Sequence, residues 1–144
     1  MKNLIVTFFI LLIVPSIVSC ARQNSKNNQQ QSFQEFWSDF RSAVLADDKN
    51  KILSMTKFPF KTRGVSDDDP VVSHDKASFI RILPRLLDQD TGISVEPETM
   101  RDLIKRTIKV PKDKVNNDAW HRIGDICFEN EKGIWSFTFA YFDG

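Results

Sequence analysis

The stretch Ile134-Trp135-Ser136-Phe137-Thr138-Phe139-Ala140-Tyr141-Phe142 decides the fold class. Trp135, Phe137, Phe139 and Tyr141 alternate with Ser136, Thr138 and Ala140. A strand with this alternation turns its rings to one face and its small residues to the other. Residues 120–128 read as its partner, and residues 129–133, ending in Gly133, as the hairpin connection between them. In that partner Trp120, Gly124, Ile126 and Phe128 share one side, and His121, Ile123, Asp125 and Cys127 the other. A sheet with one aromatic face needs a helical cover.

The cover lies upstream. Phe33, Phe36, Trp37, Phe40 and Val44 recur at helical spacing, with Gln34, Ser38, Asp39 and Arg41 on the other face. Ser32 with Glu35 three residues on is a capping box. A short helix is expected over about 50–55, with Ile52, Leu53 and Met55 as its apolar positions. Phe58-Pro59-Phe60-Lys61-Thr62-Arg63-Gly64 reads as a strand; Pro59 has no N–H for a ladder, so the strand should begin there or lie at an edge. Residues 65–72, with Asp67-Asp68-Asp69-Pro70, read as a loop. A third helix, capped by Ser73, runs over about 75–87 with a kink at Pro84 and a stop at Gly92. Pro97 suits the first turn of a helix carrying Met100, Leu103 and Ile104. Residues 107–110 read as a strand and 112–118 as a polar loop. This order of helices, strand, helix and strands is α+β, in one domain over residues 33–144.

Composition narrows the function classes. The chain has 144 residues, 27% charged, with 20 Lys and Arg against 19 Asp and Glu. That balance speaks against a nucleic-acid partner, which would demand a basic domain. Two Cys are too few for a disulfide scaffold.

Lys2, the apolar run over residues 4–14 and the break at Pro15-Ser16 have the proportions of a secretory signal, too short to span a bilayer. The segment ends Ile17-Val18-Ser19-Cys20, which resembles the lipobox of bacterial lipoproteins. The resemblance implies cleavage after residue 19, lipid on the Cys20 sulfur, and a membrane as partner through that lipid. Ala21, in place of Asp, resembles the default sorting to the outer membrane, so the expected place is the cell envelope, facing the periplasm; in a Gram-positive cell it is the outside of the plasma membrane. The plainer alternative is an ordinary signal peptide with an incidental Cys. Residues 21–32, ARQNSKNNQQQS, have no apolar periodicity and read as a disordered tether. Flexible chain of that length spans about 20 Å r.m.s..

Phe36-Trp37 with Phe40-Arg41, the Phe58-Pro59-Phe60 strand, the Leu86-Leu87-Asp88 helix end and the segments Ile123-Gly124-Asp125 and Trp135-Ser136-Phe137 resemble the NTF2-like α+β cone of the cystatin superfamily. That resemblance, which also extends to uncharacterised bacterial lipoproteins, implies N-terminal helices packed in the concavity of a curved antiparallel sheet. It implies room for a pocket, and in some relatives catalysis by buried acids or His.

No motif here carries chemistry by itself. There is no GxSxG, GxGxxG or GKS/GKT, and no cofactor is implied. His121, Asp125 and Asp88 are the candidate acid–base groups. His121 and Asp125 stand four residues apart on one strand, about 13 Å, too far for a direct pair. Both are expected in water, and Asp88 in a helix-ending turn. His74-Asp75 and Asp67 to Asp69 offer oxygens, but no Gly and Glu complete a calcium loop and no further zinc ligands are placed, so no metal site is assigned. Cys127 reads as a small buried hydrophobe. Lys105, Arg106, Lys109, Lys112 and Lys114 form a modest basic patch suited to lipid head groups or a glycan, or simply solvated. No catalytic residue is assigned. The expected function is a membrane-anchored, non-catalytic binding module for a protein, cell-wall material or a small apolar ligand. The alternatives are a small isomerase or hydrolase in the cone pocket, or a structural envelope component.

Overall fold

A computed structural model describes residues 31–142. The expected signal peptide, Cys20 and the part of the expected tether before Gln31 lie outside the described residues.

Ser32 caps α1 (Phe33–Leu45), accepting from Glu35 N–H while the Glu35 carboxylate reaches back to Ser32 N–H. Asp48 caps α2 (Lys49–Ser54). The chain continues through β1 (Thr56–Arg63), β2 (Val72–His74), α3 (Lys76–Asp88), α4 (Met100–Arg106), β3 (Trp120–Ile123), β4 (Ile126–Glu131) and β5 (Ile134–Tyr141). The strands form one sheet in the order β2-β1-β5-β4-β3. The α+β class is therefore as read, but the sheet is mixed and not antiparallel. β1 and β5 run parallel, because the whole α3–α4–β3–β4 passage separates them and acts as the crossover such a pair needs.

Several elements differ from the sequence reading. Residues 120–128 are two strands: Gly124-Asp125 turns the chain, and Ile123 pairs with Ile126. The second hairpin is closed by Lys132-Gly133, both at positive φ, as tight two-residue turns require. Asp75, not Ser73, caps α3; Ser73 belongs to β2, which fills part of the expected loop. α3 continues unbroken past Pro84 to Asp88. Thr99 with Asp102 caps α4, so Pro97 stands before the helix rather than inside its first turn. Residues 107–110 form no strand. Side chains of α1 take their backbone groups instead: Trp37 Nε1 donates to Thr107 O at 2.8 Å, Gln34 Nε2 to Ile108 O at 2.9 Å, and Val110 N–H to Gln34 Oε1 at 3.2 Å.

β1 extends on both sides of Pro59 and is flanked by β2 and β5, so Pro59 is neither first nor on an edge strand. The missing N–H is absorbed by a break in register: Thr56 pairs with Phe137 and Lys61 with Phe139, with the cis Phe58–Pro59 bond between. A second break faces it across β5. Phe137 pairs with Phe128 and Phe139 with Cys127, leaving Thr138 as the extra residue of a bulge. The alternation is therefore reset at Thr138. Trp135, Phe137 and Ala140 are buried under the helices, while Phe139 and Tyr141 turn to the opposite face and are half exposed.

The core is an aromatic cluster. Phe40 of α1 meets Phe128 and Phe137 edge-on at 5.1 and 5.2 Å, and Phe79 of α3 meets Phe60 at 4.8 Å. Phe60 and Phe137, 4.6 Å apart, join the two halves. Each such buried ring contributes about 1.5–3 kcal/mol by leaving water. α4 closes the end of the sheet, with Met100 and Leu103 against Gly124.

Gly124 makes the sharpest local test of this packing. Its φ is +56°, and a Cβ there would stand 2.6 Å from Leu103 Cδ2 and 2.8 Å from Met100 Sδ. Gly124→Ala should cost about 2–4 kcal/mol in a denaturant melt, from conformational strain and overpacking together. A loss near zero would show that the turn is not built this way.

Candidate functional site

The turn at Gly124-Asp125 moves His121 to the inner side of the sheet. It pairs across β3–β4 with Phe128, and it shares the inner face with Ile123 and Ile126. The sequence reading puts His121 in water; in the fold it is 1% exposed. Phe33, the first residue of α1, lies flat on its ring at 3.6 Å between centroids and 5° between planes. Trp135 meets the same ring edge-on at 5.1 Å. Both ring nitrogens are buried and bonded to no side chain among the described residues; the Asn117 backbone is the hydrogen-bonding neighbour of the ring.

These rings wall a half-open cleft of about 500 Å³ between the start of α1 and the β3–β4–β5 end of the sheet. Gln31, Ser32, Lys112, Asp118 and Asn130 complete its lining. Most of these polar groups are already committed. Lys112 pairs with Asp118. Asn130 accepts from Gly133 N–H at 2.8 Å and donates to Asp118 O at 3.1 Å. The Ser32 hydroxyl belongs to the capping box. His121 is bonded by no side chain among the described residues. The cleft thus has an aromatic wall with a buried imidazole in it and a polar rim.

Burial pushes the His121 imidazole below its ordinary value; the fields of Asp113 and Asp118 and a backbone hydrogen bond with Asn117 oppose this, and Lys112 adds to it. The ring is therefore a neutral hydrogen-bonding group near pH 7, not a cation. Asp113 is spent on the N–H groups of Val115 and Asn116, each at 2.7 Å, which hold its carboxyl below the usual range. Lys112 does the same to Asp118. Acid–base catalysis needs a second titratable group within hydrogen-bond reach of the reacting proton. Among the described residues no carboxylate is bonded to His121, so the arrangement suits recognition better than proton transfer.

The other expected groups are dispersed. Asp125 sits in the β3–β4 turn, where it accepts from Gln89 Nε2 at 3.1 Å and lies 3.8 Å from Arg122. Asp88 closes α3 and pairs with Arg101 at 3.3 Å. His74 Nε2 and the Thr62 hydroxyl are hydrogen-bonded at 2.8 Å, and Asp75 accepts from Ser78 N–H. Asp67 pairs with Arg63, and Asp69 holds the Ser66 N–H. No group of three His, Cys, Asp or Glu gathers for a metal among the described residues. Cys127 is buried, as read from the sequence, and burial pushes its thiol up to about 12, so it is unreactive near neutral pH.

The outer face of the sheet carries a second, smaller hollow of about 280 Å³ around Trp120, Phe139 and Tyr141. Lys57, Lys61 and Glu129 are its charged lining residues. Arg122 and Arg63 lie over the Tyr141 ring at 4.3 and 5.5 Å, and Lys57 pairs with Glu131.

No protein-family model, curated protein or solved structure matches the chain.

The cleft makes a pH prediction. Because the folded His121 binds a proton less readily than the unfolded one, stability should be full above about pH 6.5 and fall as the pH drops below it. His74, also pushed down by burial, adds to the same slope. The shifted carboxylates act at lower pH. Urea melts between pH 5 and 7.5 should show the loss, and His121→Phe should remove the larger part of it. A variant that keeps the full slope would place His121 in water.

Proposed function

We propose that the protein is a membrane-anchored envelope lipoprotein whose domain is a non-catalytic binding module. Lipid on Cys20 would fix it to the outer membrane, facing the periplasm, or to the outside of the plasma membrane in a Gram-positive cell. The observation that carries the binding role is the cleft itself, walled by Phe33, Trp135 and a buried His121 ring that no side chain among the described residues bonds. A ligand of matching chemistry has an apolar part to lie against the wall that Phe33 and Trp135 form together, and a polar group for the Lys112, Asp118 and Asn130 rim of the cleft. Amides meet that description, on a small molecule or on an exposed side chain of a protein or cell-wall partner. The catalytic alternative loses support from the dispersal of Asp88 and Asp125 away from this cleft.

The NTF2-like reading is part of the same proposal. Its support is the element order and the packing of α1 and α3 on one face of the sheet through Phe40 and Phe79. The anchor rests on residues 17–20 together with the apolar run before them. Several acyl chains on one Cys hold a protein firmly, at about 0.8 kcal/mol per buried CH₂.

Mass spectrometry of the chain recovered from bacterial membranes tests the anchor. The expected species begins at Cys20 and carries acyl mass. An unmodified Cys20, or a chain that keeps residues 1–19, would contradict it.

A further inference from the structure

We propose that the segment from Lys105 to Lys114 is the surface that this domain lays on anionic lipid head groups, so that the anchor holds it in one orientation. The proposal rests on the lipid anchor at Cys20.

Two observations carry it. The first is position. Arg41 bonds Lys105 O, Trp37 bonds Thr107 O and Gln34 bonds Ile108 O, so the segment runs back along α1 toward its N-terminus. Lys112 then lines the same cleft as Gln31 and Ser32, where the chain from Cys20 enters the domain. With only residues 21–30 between the anchor and Gln31, this end of the domain cannot stray far from the bilayer. The second observation is charge. Residues 105–114 carry five cations and one acid, Asp113. Glu98 takes Arg106 and Asp118 takes Lys112. Lys105, Lys109 and Lys114 are exposed and have no ion pair among the described residues. Between them Ile108 is 66% exposed, an aliphatic group at the level where head groups meet acyl chains. Cations beside exposed aliphatics, next to an anchor, are the second signal that lipidated proteins use to lie on anionic membranes.

The full lipidated chain tests this, carrying Ile108→Cys labelled with a polarity-sensitive dye. The native Cys127 is buried and its thiol is unreactive, so the label goes to the introduced site. Val65→Cys is the control. It is 72% exposed and follows β1, at the end of the sheet where Phe142 N–H bonds Arg63 O, opposite to the Trp135 end. Vesicles are phosphatidylcholine alone or mixed with phosphatidylglycerol.

The expected result is a blue shift, with shielding from an aqueous quencher, for the dye at position 108 in phosphatidylglycerol vesicles only. Raised salt reverses it. Lys105→Gln, Lys109→Gln and Lys114→Gln together should weaken the docked state on the order of 100-fold, since each cation near an anionic leaflet is worth about fivefold. An acylated chain whose dye at 108 stays in water, or whose dyes at 108 and 65 respond alike, overturns the docking while leaving the anchor standing. A chain with no acyl mass on Cys20 overturns the anchor, and the docking with it.

Discussion

Phe33 lying flat on the His121 ring ties the first turn of α1 to β3, the far edge strand of the sheet. The contact does two things at once. It fixes the end of the helix whose other rings, Phe36, Trp37 and Phe40, build the core against Phe128. It also covers the imidazole, which no side chain among the described residues bonds. The aromatic contacts repay the desolvation of the ring only in part, because stacking supplies no hydrogen bond. The domain keeps a cost at this point that a leucine or phenylalanine would not incur, and a polar group held at a cost in a cleft is where a ligand has most to gain.

Two resets of alternation create that situation. Gly124-Asp125 folds what reads as one strand into two, and Thr138 adds a residue to β5. The first brings His121 inward beside Phe128. The second sends Phe139 and Tyr141 out of the core and onto the bare face of the sheet. Both are local events of a single residue or turn, and each reverses every side chain beyond it. The parallel β1–β5 pair is of a different kind. It follows from the long passage between the two strands, a matter of topology and not of pattern.

These two kinds of event separate what is legible in the sequence from what is not. α1 is readable to its cap because the Ser32–Glu35 box and the ring spacing agree. The α+β class follows from the order of periodic segments, and Cys127 and the Asp88 helix end lie as their local patterns indicate. His121 is misplaced when alternation is extended across Gly124-Asp125, a turn dipeptide that sits inside an apolar run; reading it as a turn puts His121 inward with Ile123. The strand expected over residues 107–110 fails for a reason no local pattern carries. Its backbone groups are taken by Gln34 and Trp37, distant in the chain. Asp118, Lys112 and Asn130 escape notice as cleft residues because the segments holding them carry no periodicity that points to the cleft.

Everything at this end of the sheet depends on His121 being a buried, neutral imidazole. Long-range proton–nitrogen NMR of the full chain, recorded through a pH titration, reads its two ring nitrogens directly. The account predicts a neutral ring at pH 7, with a midpoint clearly below the ordinary histidine value of about 6.5. A midpoint at or above that value would mean a solvated or ion-paired ring, and the cleft would lose the one group that marks it as a binding site.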